Sequence, residues 1–340
     1  MAARRIYADG PRSCQYSAPA TNSPKKRVST LLEYLQARSV PTAVHTLLNA
    51  VVGMNGTHDK FLVSALGNLT PEELAQLEGY LAFCRSRGLD IDYLARCYLT
   101  IVEDTLREQM HFMRHGRYRH ATYAEVAADV YHNPEYMNRY MYGLAITAFL
   151  WPNHVRIARH FSESLPRDRS GEYLEIGPGH GYFLMTAMRL SAFDRFLGVD
   201  ISATSIAQTR AIAEHFLPDA RERLHLAECD FLADQRLEPG RYAAVVMGEV
   251  LEHVEQPEAF LRRVAALARA DAHIYISTCI NAPAIDHIYL WRNTDELEDM
   301  MRDNGLRIRD ALRLPYDGTT MEVSVKRALA VNVAYVLEKM

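Results

Sequence analysis

The run Tyr173-Leu174-Glu175-Ile176-Gly177-Pro178-Gly179-His180-Gly181 most constrains what this chain can fold into. A short apolar stretch ending in an acid is followed by three glycines at alternate positions. A helix-like segment then begins, Tyr182-Phe183-Leu184-Met185-Thr186-Ala187-Met188. This order spells strand, tight turn and helix start, which brings backbone N–H groups against a nucleotide-like ligand. A dinucleotide loop spaces its glycines G-x-G-x-x-G. Here Tyr182 holds that last place and a glycine falls one position early, at Gly181.

Three more strand ends follow at the spacing of an open α/β sheet. Arg195-Phe196-Leu197-Gly198-Val199-Asp200 ends in an acid placed to accept from ribose hydroxyls. Leu224 to Phe231 reads as a third strand carrying Asp230, and Tyr242 to Val254 as a fourth strand with its loop. Four signals in this order between 172 and 257 resemble the class I S-adenosylmethionine (SAM) methyltransferases. The resemblance implies SAM as cofactor, with Gly177, Gly179 and Gly181 admitting it. It further implies Glu175 at the methionyl amino group, Asp200 at the ribose, Asp230 with Phe231 at the adenine, and Ile201 among the cofactor-binding residues. Glu249 closes the cofactor set after the fourth strand.

Helices follow or separate these strands: Pro257 to Ala270 reads as a helix, Ala272 to Thr278 as a fifth strand, and Thr294 to Asn304 as a helix capped by Thr294. Leu306 to Pro315 and Leu329 to Leu337 close the pattern as strands. The fold expected is α/β: a Rossmann-like, doubly wound, mostly parallel seven-stranded sheet behind an N-terminal all-helical domain. Residues 1–26, with Pro11, Pro19 and Pro24, read as a flexible arm. Residues 27–165 read as a helical domain for dimerisation and for capping the site, and 166–340 as the SAM-binding domain. Within the helical part, Thr70-Pro71-Glu72-Glu73 is a helix start and Gly88 a stop. Tyr140, Trp151 and Asn153, just ahead of the glycine loop, are the expected substrate lining. His111 and His115 share a helix face, but the arginines around them disfavour a cation there.

The chain has 340 residues and a net charge of −4, from 38 basic and 42 acidic side chains. That balance supplies no polybasic face, which disfavours nucleic acid or an anionic membrane as partner. No apolar run reaches the roughly 18 residues of a membrane helix, and no secretory leader is visible. Five cysteines without a C-x-x-C pair fit free thiols in a cytoplasmic protein. A homodimer acting on a small metabolite is the expectation.

The SAM methyl is already activated, so the loop names the cofactor and leaves the acceptor open. One reading is O- or N-methylation with His253 as general base. Another is a non-catalytic partner subunit. The favoured one rests on Ser277-Thr278-Cys279-Ile280-Asn281-Ala282-Pro283-Ala284-Ile285-Asp286-His287. Together with Glu249 and His253, this loop resembles those of bacterial α-keto acid C-methyltransferases of natural-product biosynthesis. Removing the weakly acidic C–H of a 2-oxo acid calls for a Lewis acid, and imidazoles suit zinc or iron. His253 and His287 are the expected ligands, with Glu249 or Cys279 as a third, and Asp286 or a nearby histidine assists proton removal.

Overall fold

A computed structural model describes residues 30–127, 130 and 133–340. The expected arm at 1–26 lies outside them. Eight helices come first: α1 (Leu31–Ala37), α2 (Thr42–Met54), α3 (Asp59–Gly67), α4 (Pro71–Ser86), α5 (Ile91–His115), α6 (Tyr123–Ala127), α7 (Pro134–Leu150) and α8 (Pro152–Ser164). Their ends follow local rules. Thr70 Oγ1 accepts from Glu73 N at 3.2 Å while Glu73 Oε2 accepts from Thr70 N at 2.8 Å, a reciprocal cap that starts α4. At the other end of α5, Gly116 terminates the helix in the left-handed region (φ 64). Close crossing of α5 and α7 depends on Gly143, where an added Cβ would lie 2.4 Å from Cys97 O.

The remainder alternates β1 (Glu172–Ile176), α9 (Tyr182–Leu190), β2 (Arg195–Asp200), α10 (Ala203–Phe216), β3 (Leu224–Glu228), β4 (Tyr242–Gly248), α11 (Pro257–Leu267), β5 (Ala268–Ile280), α12 (Thr294–Asp303), β6 (Leu306–Leu314), α13 (Met321–Lys326) and β7 (Val331–Lys339). The seven strands form one sheet in the order β3-β2-β1-β4-β5-β7-β6. Strand β7 runs antiparallel between β5 and β6, and the neighbouring pairs from β3 to β5 are parallel. Central strand β4 is apolar and buried along almost its whole length, as a strand covered on both faces must be. The register aligns Ile176 with Val199 and with Met247. All parallel strands therefore release their chains at one edge, where ligands of such sheets bind.

Several boundaries differ from the sequence expectation. Strand β3 stops at Glu228, because Asp230 turns the chain by accepting from Leu232 N (2.9 Å). Strand β5 is longer than expected at both ends, and α11 stops at Leu267. Asn293, rather than Thr294, caps α12: its side chain accepts from Glu296 N at 2.9 Å. Helix α13, between β6 and β7, was not anticipated. No described helix is long and apolar enough to cross a membrane.

Packing joins the two halves of the chain. One hydrophobic cluster runs from Leu47, Leu81 and Tyr98 of the helical region to Met185 of α9 and Ile212 of α10. A smaller one joins Ile101, Tyr140 and Met141 to Ile288 in the loop after β5.

Candidate functional site

A cleft opens at the carboxyl edge of the sheet, under α7, with an empty volume of about 960 Å³ including its solvent-open part. The glycine loop forms one wall. Gly177, Gly179 and Gly181 have φ of 66°, 55° and 75°. Space is tightest at Gly177, where a Cβ would sit 2.6 Å from Val250 Cγ2. Thr209 of α10 pins the loop by donating to Gly179 O at 2.5 Å, and Gly177 N donates to Val199 O at 2.8 Å.

Asp200, Ile201, Asp230, Phe231 and Glu249 all line this cleft beside Gly177 and Gly179. Asp200 is held by Ser202 N (2.8 Å) and Ser205 Oγ (2.6 Å), and burial raises its carboxyl above the ordinary range. Glu175 stands behind the wall. It is 2% exposed, accepts from Tyr173 Oη at 2.5 Å, and burial pushes its pKa up to about 8. Gly181 is likewise outside the lining and serves as the N-cap of α9.

Beyond the glycine loop the cleft reaches Tyr140, His253 and Asp286. His253 ends a 3-10 turn (Leu251–His253) after β4, and its Nδ1 donates to Asp286 O at 3.0 Å. His287 Nδ1 donates to Ala282 O at 2.6 Å. A carbonyl oxygen can only accept, so both imidazoles carry their proton on Nδ1 and leave Nε2 free. The two rings meet edge to face with centroids 4.8 Å apart. Burial, then the neighbouring His253, lowers the His287 pKa to about 4, which keeps the imidazole neutral. The structure brings His253, Asp286 and His287 together, and groups Glu252 and Cys279 with His287.

Glu252 escaped the sequence reading, although Glu249, Glu252 and His253 occupy a single Glu-x-x-Glu-His run whose spacing could have revealed it. It is fully buried, accepts from Thr278 Oγ1 at 2.6 Å, and lies 4.0 Å from His253 Nε2. Glu249 sits in the left-handed region (φ 53) and its buried Oε1 has no partner. Burial raises both carboxyls, and the charge of Glu252 adds to the effect at Glu249. Non-glycine backbone strain of this kind persists where surrounding packing enforces it, often at functional sites.

Two expected site residues, Trp151 and Asn153, lie outside the cleft lining, and Cys279 lies beside His287. Trp151 packs on the helical cluster against His154, because Pro152 starts a new helix and turns the chain at that point. Asn153 donates to Asn332 of β7 at 2.9 Å instead of facing the cleft. Cys279 Sγ lies 3.6 Å from His287 Nδ1, the nitrogen already bonded to Ala282 O, so it packs on the anchored side of the ring. Burial and three neighbouring carboxylates raise the Cys279 thiol pKa, which opposes the thiolate form.

A family model described as a methyltransferase domain matches residues 153–311. Its span includes β1 to β5 and most of β6, in the strand order given above. This segment is a class I SAM-dependent methyltransferase domain. Ribosomal RNA large subunit methyltransferase G of Klebsiella pneumoniae subsp. pneumoniae is 32% identical over 92 residues, covering 26% of this chain and 23% of that protein. The chain thus spans about a quarter of the curated relatives it matches. Among solved structures, mitomycin 7-O-methyltransferase aligns with a TM-score of 0.50 and 12% identity over 74% of this chain and 72% of that one. Geranyl diphosphate C-methyltransferase of Streptomyces coelicolor A3(2) aligns at 0.47 and 15% over 58% and 84%. The likeness to the mitomycin enzyme, at 12% identity, speaks to the fold alone.

Proposed function

We propose that this chain transfers the methyl group of SAM to a small acceptor that must first lose a proton, a 2-oxo acid methylated at the carbon beside its keto group. The observation that carries this reading is the paired His253 and His287, each with Nδ1–H bonded to a backbone carbonyl and Nε2 free. Such an arrangement is how proteins orient imidazoles for a metal. His253 and His287 would hold a divalent ion, zinc or iron, with a carboxylate beside them: Glu252 is grouped with His287, and Asp286 with both histidines. Bound there, the ion would supply Lewis acidity to the keto oxygen and carboxylate of the acceptor.

Charge sets a condition on this acceptor class. Asp200, Asp230, Glu249 and Asp286 line the cleft, and no lysine or arginine does among the described residues. An anionic acceptor therefore needs a cation brought by the protein. Glu249, with its partnerless oxygen in the cleft wall and raised proton affinity, takes the acceptor's C–H proton. Asp286 orients instead: Tyr140 Oη lies 2.9 and 3.1 Å from its two oxygens, and His253 Nδ1 lies 3.4 Å from one. The acceptor carbon then bonds to the methyl carbon as the methyl–sulfur bond breaks. S-adenosylhomocysteine, the methylated acid and one proton result. Asp200 with Ile201 holds the ribose and Asp230 with Phe231 the adenine.

Elemental analysis of purified protein, followed by assays with SAM against 2-oxo acids, phenols, amines and ribosomal RNA, tests this. The expected result is a stoichiometric divalent metal and chelator-sensitive methylation of a 2-oxo acid. Metal-free protein that methylates an amine, phenol or RNA after His253→Ala and His287→Ala would overturn it.

A further inference from the structure

We propose that Tyr118 and Tyr140, which lie ahead of the methyltransferase segment, are positioning residues that fix both histidines through the loop at 282–287. The inference rests on the reading that His253 and His287 hold a metal.

The carbonyls that orient the two imidazoles, Ala282 O and Asp286 O, belong to this one short loop. Its root is closed by Asn281, buried and left-handed (φ 51), whose Nδ2 donates to Arg292 O at 2.9 Å. Pro283 follows Ala282 and restricts the chain there. The loop is then held at both ends by the helical region. Tyr118 Oη accepts from Ala282 N at 3.1 Å, and Tyr140 Oη donates to the Asp286 carboxylate. Tyr118 is 5% exposed and Tyr140 7%. Tyr118 also sets its ring edge against His287, with centroids 5.9 Å apart.

Tyr118 is itself braced. Arg292 Nη2 donates to Gly116 O at 2.9 Å. Arg119 grips the buried Glu108 at 2.9 and 3.0 Å. The chain of contacts runs from the helical region through Tyr118 to the backbone at Ala282 and thence to His287, with a parallel branch from Tyr140 through Asp286 to His253. Neither tyrosine needs to touch a metal for this. Tyr118 constrains the peptide at Ala282 directly, and Tyr140 holds residue 286 through its carboxylate, so each acts on the residue whose carbonyl orients an imidazole.

The test uses the full-length protein with Tyr118→Phe, a residue outside the cleft lining, and Tyr140→Phe. Zinc affinity is read by competition with a chromophoric chelator, SAM affinity by calorimetry, and histidine tautomers by 15N chemical shifts in the metal-free protein. Expected for Tyr118→Phe is zinc binding about 10- to 100-fold weaker, the range seen when partners of metal-ligating histidines are removed. SAM affinity stays within about twofold of wild type, since a merely structural defect would weaken both in common. Zinc affinity equal to wild type in Tyr118→Phe overturns the proposal. If wild type binds no zinc, the metal reading fails on its own, and the tautomers still judge the tyrosines: His287 must be protonated on Nδ1 in wild type and lose that preference in Tyr118→Phe. Should a variant misfold, wild-type shifts decide, because Nε2-protonated His253 or His287 excludes the arrangement.

Discussion

Single residues at the cleft act through backbone geometry and burial more than through exposed charge. Gly177 combines a positive φ with a Cβ position already occupied by Val250. Gly177→Ala should therefore weaken SAM binding by about tenfold or more, roughly 1.4 kcal/mol, in a calorimetric titration. A change below twofold would mean the loop tolerates a side chain. Glu175 gives a pH prediction with a definite sign. Its folded pKa, about 8, lies above its unfolded value because of burial. Stability is then fullest below the unfolded pKa and declines as pH rises through about 8, as the unfolded chain ionises first. Glu175→Gln cannot ionise, so its melting temperature should gain on wild type between pH 5 and pH 8. Parallel pH curves for the two proteins would show that Glu175 does not carry this dependence. Sequence pattern exposed Glu175 and Gly177 because an acid and a glycine after an apolar run are local signals. Glu175 ended up behind the wall because Tyr173, two residues away on the same strand face, takes its carboxylate.

Among the elements, helix caps were readable and helix contacts were not. Thr70 and Glu73 announce α4 by composition alone, and the structure realises both bonds of the cap. Glu73 has a second task that no local pattern reveals: Arg159 of α8 donates to it at 2.6 Å. Thr70→Ala should cost about 1 kcal/mol in chemical denaturation, and Glu73→Ala more, since it removes the cap bond and the interhelical pair together. Gly143 behaves similarly. In sequence it is one glycine within a helix, where replacement by alanine ordinarily helps. At the α5–α7 crossing, however, its Cβ would meet Cys97 O. Gly143→Ala is expected to destabilise by about 1–3 kcal/mol, the cost of overpacking. A stabilised variant would place the helices farther apart than described here.

For the whole molecule, the helical region and the sheet share one hydrophobic cluster through Met185, Ile212 and Ala213. Two parts joined in this way unfold together, because opening either exposes the same apolar surface. Scanning calorimetry of the full-length protein should show a single transition with equal calorimetric and van't Hoff enthalpies. Two resolved transitions would show separable units, as expected for a division near residue 165.

By itself, the sequence determined the alternation of strands and helices, the glycine loop and the acids at the strand ends. Those features are written in neighbouring residues: apolar runs make strands, glycines permit positive φ, and an acid at a strand end is placed by the strand that carries it. His253 and His287 stood out as candidates for the same reason, each following a recognisable strand. Only the tertiary structure decided which carboxylates join them, that Trp151 and Asn153 turn away, and that Cys279 lies on the anchored side of His287. It alone put Tyr118 on Ala282 across 164 residues and Tyr140 on Asp286 across 146. Contacts at such separations leave no periodic trace, since they are fixed by how the helices pack over the sheet edge and not by the residues on either side of them.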